Sequence, residues 1–155
     1  MKSFKILSLL MLAAVAMVGC EKNNSDTPGG GSSNVSGIVK EWRIATWAGE
    51  TAPFDVYIDF NEDGSYEMFQ QVYSLYYERF SGNYTLSGDI VTGTYSDGSN
   101  WKSAYKASLS SDGMQLTLHS QEDVSIESVY NSTIIPDAVK AEATTSRSVE
   151  VEPFL

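Results

Sequence analysis

Two residue types that carry much of protein chemistry are almost missing from this 155-residue chain, which has one cysteine and one histidine. A single cysteine excludes an intramolecular disulfide and any cysteine-cluster zinc site, and the lone His119 excludes every two-histidine metal motif. Positive charge is scarce too. Ten basic side chains against 20 acidic ones give a formal charge of −10, the wrong sign for gripping a phosphate backbone, so nucleic acid is not an expected partner. No cofactor is expected, and the length is that of one domain.

What is present begins with an address. Lys2 and Lys5 precede an apolar run from Ile6 to Val18 interrupted only by Ser8. A basic start followed by about 7 to 15 apolar residues is the pattern of a secretory signal, shorter than the roughly 20 residues of a membrane-spanning helix. The run ends in Met17-Val18-Gly19-Cys20, with a small residue directly before the only cysteine. This looks like a bacterial lipobox, in which the chain is cut before the cysteine and Cys20 is acylated. The expected organisation is a signal peptide over residues 1–19, a lipid-bearing Cys20 with a tether to residue 36, a domain over 37–135 and a tail over 136–155. Cleavage removes Lys2 and Lys5, leaving 8 basic against 20 acidic groups and a charge of −12, so acyl chains and not electrostatics must hold the membrane. The polar, Gly/Ser-rich stretch from Glu21 to Ser36 has the composition of a flexible coil with a reach of roughly 20 to 24 Å. The expected location is the bacterial cell envelope at the outer membrane, with periplasmic and surface-exposed faces both open.

From Lys40 to Tyr130 no ten-residue stretch carries apolar positions at helical spacing, while two-residue alternation, the period of strands, recurs. Phe54, Val56, Ile58 and Phe60 share one face, with Asp55 and Asp59 opposite. Trp101, Tyr105, Ala107 and Leu109, then Met114, Leu116 and Leu118, then Val124, Ile126 and Tyr130 repeat the alternation. Asp63-Gly64, Gly88-Asp89, Asp97-Gly98 and Asp112-Gly113 sit between the runs and supply the positive φ that tight hairpins need. Strands are expected over 40–48, 54–61, 64–71, 75–86 with a bend near Gly82, 89–96, 100–109, 113–120 and 123–131. An all-β antiparallel meander of about eight strands closes most easily into an up-and-down barrel, with a two-sheet sandwich as the alternative. After Pro136 a short helix and a mostly mobile tail are expected, with docking of Phe154-Leu155 as the other outcome.

The lipobox, the tether, Trp42 in the first strand, YIDFNEDGSYEM, GNYTLSGDIVTGTYSDGSNW and Ile135-Pro136 together resemble the small lipocalin-like lipoproteins of gut Bacteroidetes. The resemblance spans nearly the whole chain and implies a small lipocalin-like barrel. In lipocalins a tryptophan of the first strand closes the barrel floor, a role the resemblance gives to Trp42.

Asp59-Phe60-Asn61-Glu62-Asp63-Gly64 has the spacing of an EF-hand calcium loop, but its twelfth position is Gln70 and its flanks alternate as strands, so a hairpin turn is expected there. His119 is expected on a solvent-facing strand position, and pairs such as Asp55/Asp59 on solvated faces, so no enzyme and no metal site is expected. Fifteen aromatics lie between Trp42 and Tyr105. Most must fill the core, yet Tyr76 and Tyr77 are adjacent and point to opposite faces. Trp42, Tyr73, Tyr76, Tyr77, Phe80, Trp101 and Tyr105 are therefore the candidate ligand-binding residues, for a small apolar or glycan-like molecule in or at the barrel mouth. An accessory protein that binds an envelope partner through an acidic, aromatic-rich surface is the competing reading. An open interior cavity favours the first and a filled interior the second.

Overall fold

The computed structural model describes residues 35–145 and 151–155; the signal segment, Cys20 and the tether up to Asn34 lie outside the described residues. A 3₁₀ turn at Val35–Ile38 leads into β1 (Glu41–Trp47), β2 (Glu50–Thr51), β3 (Asp55–Phe60), β4 (Ser65–Gln71) and β5 (Glu78–Ser87). Then come β6 (Ile90–Tyr95), β7 (Tyr105–Leu109), β8 (Gln115–Ser120), β9 (Glu127–Ser132) and the helix α1 (Asp137–Glu142). Neighbouring strands pair antiparallel, and β9 returns to β1 with Trp42 opposite Ser132 and Trp47 opposite Ser128. That pairing closes eight strands into an up-and-down barrel and excludes the sandwich. The two-residue β2 is an appendage, paired only with the end of β1.

The hairpin turns are built as their letters predict. Asp63 accepts from the backbone N–H of Ser65 at 2.9 Å and from its hydroxyl at 2.6 Å, while Gly64 takes a φ of 82°. Asp97 with Ser99 repeats the motif, Asp112 caps Met114 N–H and the Ser110 hydroxyl, and Asp123 with Ser125 forms the same turn where a strand was expected. Each short polar side chain satisfies turn donors that the ladder leaves unpaired.

Several boundaries differ from the expected ones, each for a local reason. β5 begins at Glu78 and not at 75, because Gln71 Nε2 donates to the Leu75 carbonyl and Ser74 Oγ accepts from Tyr76 N–H, turning residues 72–77 into a loop. β7 begins at Tyr105 and not at 100. The chain makes a side excursion through Asp97-Gly98, bridges Thr94 to Asn100, and meets β6 only at Ile90–Lys106 and Val91–Tyr105. β9 begins at Glu127 because the Asp123–Ser125 turn precedes it, and Val124, expected on the inner face, is exposed. Met114 likewise sits in a turn and is exposed. β2 was not expected at all: its hairpin turns on Ala48 and Gly49, and alanine at a φ of 50° carries no turn signature.

The inner wall is apolar and dense. Val56, Ile58, Phe60, Tyr66, Met68, Val91, Ala107, Leu116, Leu118 and Tyr130 are all essentially inaccessible. At the end where β3–β4, β5–β6 and β7–β8 join by tight turns, Trp42 closes the floor, its indole N–H donating to the Ile38 carbonyl at 2.7 Å. At Gly82 β5 and β6 approach so closely that a Cβ would stand 1.9 Å from the Thr94 carbonyl oxygen, which is why the expected bend falls on a glycine.

The segment after Pro136 is ordered against the barrel wherever it is described, so the expectation of a mobile tail gives way to the docked alternative. Val139 of α1 packs with Ile135 onto Tyr57 and Phe69, which leave the barrel on its outer side. Glu41 binds both Lys140 Nζ, at 2.6 Å, and the Ile135 N–H, at 2.7 Å. Thr144 exchanges backbone hydrogen bonds with Tyr77 and Arg79. Residues 151–155 return to the open end, where Leu155 joins the interior cluster and Phe154 packs at its margin. These apolar side chains dock because the wall leaves apolar surface for them to cover.

Candidate functional site

The open end of the barrel, opposite the Trp42 floor, is framed by the longer connections 48–54, 72–77, 96–104 and 121–126. Loop 72–77 carries Tyr73, Leu75 and Tyr76 at 70, 87 and 71% exposure, three large apolar groups together where burial is the norm. The loop is anchored at its far end. Tyr77 packs on Tyr57 with ring centroids 6.0 Å apart and donates its hydroxyl to Asp55 at 3.1 Å, and burial together with that carboxylate drives its pKa well above the ordinary phenol value. Arg43 binds the same Asp55 at 2.7 Å. Beside the loop lies a hollow of about 510 Å³ lined by Arg43, Phe54, Asp55, Gln71, Ser74 and Leu75 among others. A guanidinium, a carboxylate and an amide thus line the hollow with Leu75, and Tyr73 and Tyr76 stand exposed on the same loop outside that lining, a combination suited to hydroxyl-rich ligands with apolar ring faces.

A second hollow, of about 330 Å³, opens where β6 and β7 part, between the hydroxyl-bearing outer face of β5–β6 (Thr85, Thr92, Thr94) and Asn100-Trp101. Only the edge of Trp101 reaches it, because the indole is otherwise buried.

The interior behind the rim is filled. Trp101 donates its indole N–H to the Tyr66 hydroxyl at 2.8 Å, and their rings cross edge to face at 5.1 Å. Phe60 stacks against Tyr84 at 4.8 Å, and Phe80 against Tyr95 at 6.0 Å. Burial pushes the phenols of Tyr66 and Tyr105 up to about 12 and raises Tyr95 and Tyr130 further. The Tyr130 hydroxyl is sealed in without a partner in good hydrogen-bond geometry among the described residues, Ser128 included. Gln70, fully buried on the inner face of β4, binds residues 151–155 at two points. Its Nε2 donates to the Glu152 carbonyl at 3.0 Å and its Oε1 accepts from the Phe154 N–H at 2.8 Å. The Tyr95 hydroxyl donates to the Leu155 carbonyl, and the Phe154 ring lies 5.5 Å from that of Phe54. Among the described residues the would-be ligand cavity is therefore occupied by the chain itself.

The seven candidate residues separate into three places. Tyr73 and Tyr76 stand on the rim, Tyr77 is tied under α1, and Trp42, Phe80, Trp101 and Tyr105 are core, so they do not converge on one cavity. The functional reading missed Gln70. It shares strand parity with Tyr66 and Met68, and a glutamine in an inward-facing position is the signal that could have exposed it.

Other candidates resolve into structure. The Asp59–Gly64 segment is the β3–β4 hairpin, with Asp63 capping Ser65. Burial and the neighbouring Glu41 raise the pKa of Asp59. His119 faces out and pairs with Glu127 across β8–β9 at 2.9 Å. Among the described residues no cluster of histidine, cysteine or carboxylate side chains could hold a metal ion, and no helix is long and apolar enough to cross a membrane.

A closed eight-stranded meander with a tryptophan floor is the geometry of lipocalins, and the family model described as Lipocalin-like domain matches residues 38–116. This chain belongs to the lipocalin-like domain family. No curated protein matches it. The matched span runs from the floor turn to the first residues of β8, so this lipocalin-like chain forms the rest of β8, closing strand β9, α1 and the docked segment 151–155 outside the matched part. Gln70, in contrast, lies within the match while its hydrogen-bonding partners lie beyond it.

Proposed function

We propose that this lipocalin-like chain is a noncatalytic binding module, anchored in the bacterial envelope by lipid on Cys20, that takes a glycan-like ligand at its rim and not inside its barrel. One observation carries the reading: Tyr73, Leu75 and Tyr76 stand exposed on one loop, and its Leu75 lines a hollow together with Arg43, Asp55 and Gln71. Tyrosine faces stack on the apolar faces of sugar rings, and the flanking charged and amide groups match ring hydroxyls. A purely apolar small molecule fits less well, because the interior that would shelter it is filled.

A protein partner is the second reading. It is favoured by that same filled interior with aromatics displayed outside, on a chain with twice as many acidic as basic groups. Binding of the purified protein to a glycan array tests the first reading. Signals that vanish in the Tyr73→Ser, Tyr76→Ser variant, with its melting temperature kept, support the rim; an array without signal turns the reading to the protein partner. For the anchor, intact mass of the Cys20→Ala variant is expected to show no acyl chains, and acyl chains on that variant would refute it.

A further inference from the structure

Residues 151–155 are held as a ligand is held. They add no strand to the sheet, whose closure through β1–β9 is complete without them. Instead one buried side chain, Gln70, presents a donor and an acceptor to the Glu152 carbonyl and the Phe154 N–H, two residues apart on an extended backbone. That is the pairing an edge strand offers to a peptide, delivered here by a primary amide. Tyr95 adds a donor for the Leu155 carbonyl, Phe54 a ring for Phe154, and the interior a socket in which Leu155 is 1% exposed. The Lys102–Glu152 pair at 2.7 Å is largely solvated and holds little.

We infer that the barrel mouth is a peptide-binding pocket for an extended segment with two successive apolar side chains, occupied in cis by Glu152-Pro153-Phe154-Leu155. The chemistry selects a peptide over a hydrocarbon. With the segment gone, the buried Gln70 amide and the Tyr95 hydroxyl lose their partners, and only an occupant with a matching carbonyl, N–H and second backbone oxygen restores all three bonds. A peptide from another chain must displace the segment first, so the cis occupant sets a threshold for binding. This pocket shares Phe54 with the rim hollow, but its polar partners, Gln70 and Tyr95, lie outside that hollow, and it does not depend on the rim reading.

The test uses the full chain and an acetylated peptide of sequence SVEVEPFL, copied from residues 148–155. The Phe154→Ala, Leu155→Ala chain is expected to bind the peptide saturably and on the order of tenfold more tightly than the parent chain, which must first release its own segment. Adding Gln70→Leu to that variant returns binding to the parent level. Equal binding by parent and variant, insensitivity to Gln70→Leu, or capture of a fatty acid but not of the peptide would each overturn the inference. If the double variant fails to fold, hydrogen exchange of the parent chain decides. The Phe154 amide is expected to exchange by local opening, faster than the paired amides of β4 and β5. Exchange of Phe154 only together with those strands shows that the segment is an inseparable part of the core, and the pocket is then refuted.

Discussion

Trp101 lies flat against Gly93, where a Cβ would stand 2.2 Å from its Cε2 atom, so the missing side chain of one residue is the seat of another. Gly93→Ala must push the indole off the Tyr66 hydroxyl and is expected to cost about 1–3 kcal/mol, seen as a lower melting temperature with altered tryptophan fluorescence. Turn carboxylates supply a second residue-scale prediction. Hydrogen bonds from the neighbouring serines, with backbone N–H groups behind them, hold Asp63, Asp112 and Asp123 below the ordinary carboxylate range. Their contribution to stability is full above the unfolded value and is lost as pH falls through the lower folded one. Asp59 acts in the opposite sense, because burial raises its pKa and acid relieves it. A chain with Asp63, Asp112 and Asp123 replaced by Asn is therefore expected to lose less melting temperature than the parent between about pH 5 and about pH 2. The sequence was legible where a residue pair has one local use, as at Asp63-Gly64 and Asp112-Gly113, and misleading at Asp123, where a turn closed by Ser125 stands in place of the expected strand start. It was opaque at Gln70, whose polar side chain is buried because of a partner 82 residues away.

Among the elements, the hairpins announced by Asp63-Gly64, Gly88-Asp89 and Asp112-Gly113 appeared in place, whereas the connections at the open end, with Asp97-Gly98 among them, did not follow from alternation. Loop 72–77 carries strand-favouring aromatics, yet Gln71 and Ser74 cap its backbone into a loop, which local propensity cannot weigh. Two different costs follow. The Tyr73→Ser, Tyr76→Ser change removes exposed rings and is expected to shift stability by no more than about 0.5 kcal/mol, measured by denaturant titration, while abolishing rim binding. Val139→Asp instead places a charge against Tyr57 and Phe69 and is expected to destabilise by about 2 kcal/mol or more in the same titration, because burying an unpaired charge is costly. β3 is buried on both faces for the same reason: α1 covers the outward-facing Tyr57, so a strand with clean alternation in its letters loses it in the fold.

For the whole molecule, closure is what makes a binding scaffold of these strands: it removes the edges and leaves one sealed floor and one framed mouth. Number, order and direction of the barrel strands were readable from period and turns, since each strand pairs with its neighbour in sequence. The filling of the mouth was not, because it depends on a segment that returns across the chain to Gln70 and Tyr95. The buried phenols give the barrel a signature in alkali. Tyr66 and Tyr105 are held at about 12 against an ordinary 10.0, so the stability they contribute is full below the ordinary value and lost as pH climbs to about 12. Their ionisation, read as tyrosinate absorbance, is expected to coincide with loss of the strand signal in circular dichroism. Rim binding, proposed for this lipocalin-like barrel, is decided by a glycan array probed with parent protein and with the Tyr73→Ser, Tyr76→Ser variant. The parent is expected to give specific carbohydrate signals that the equally stable variant lacks; signals unchanged by the variant, or none with the parent, would contradict it.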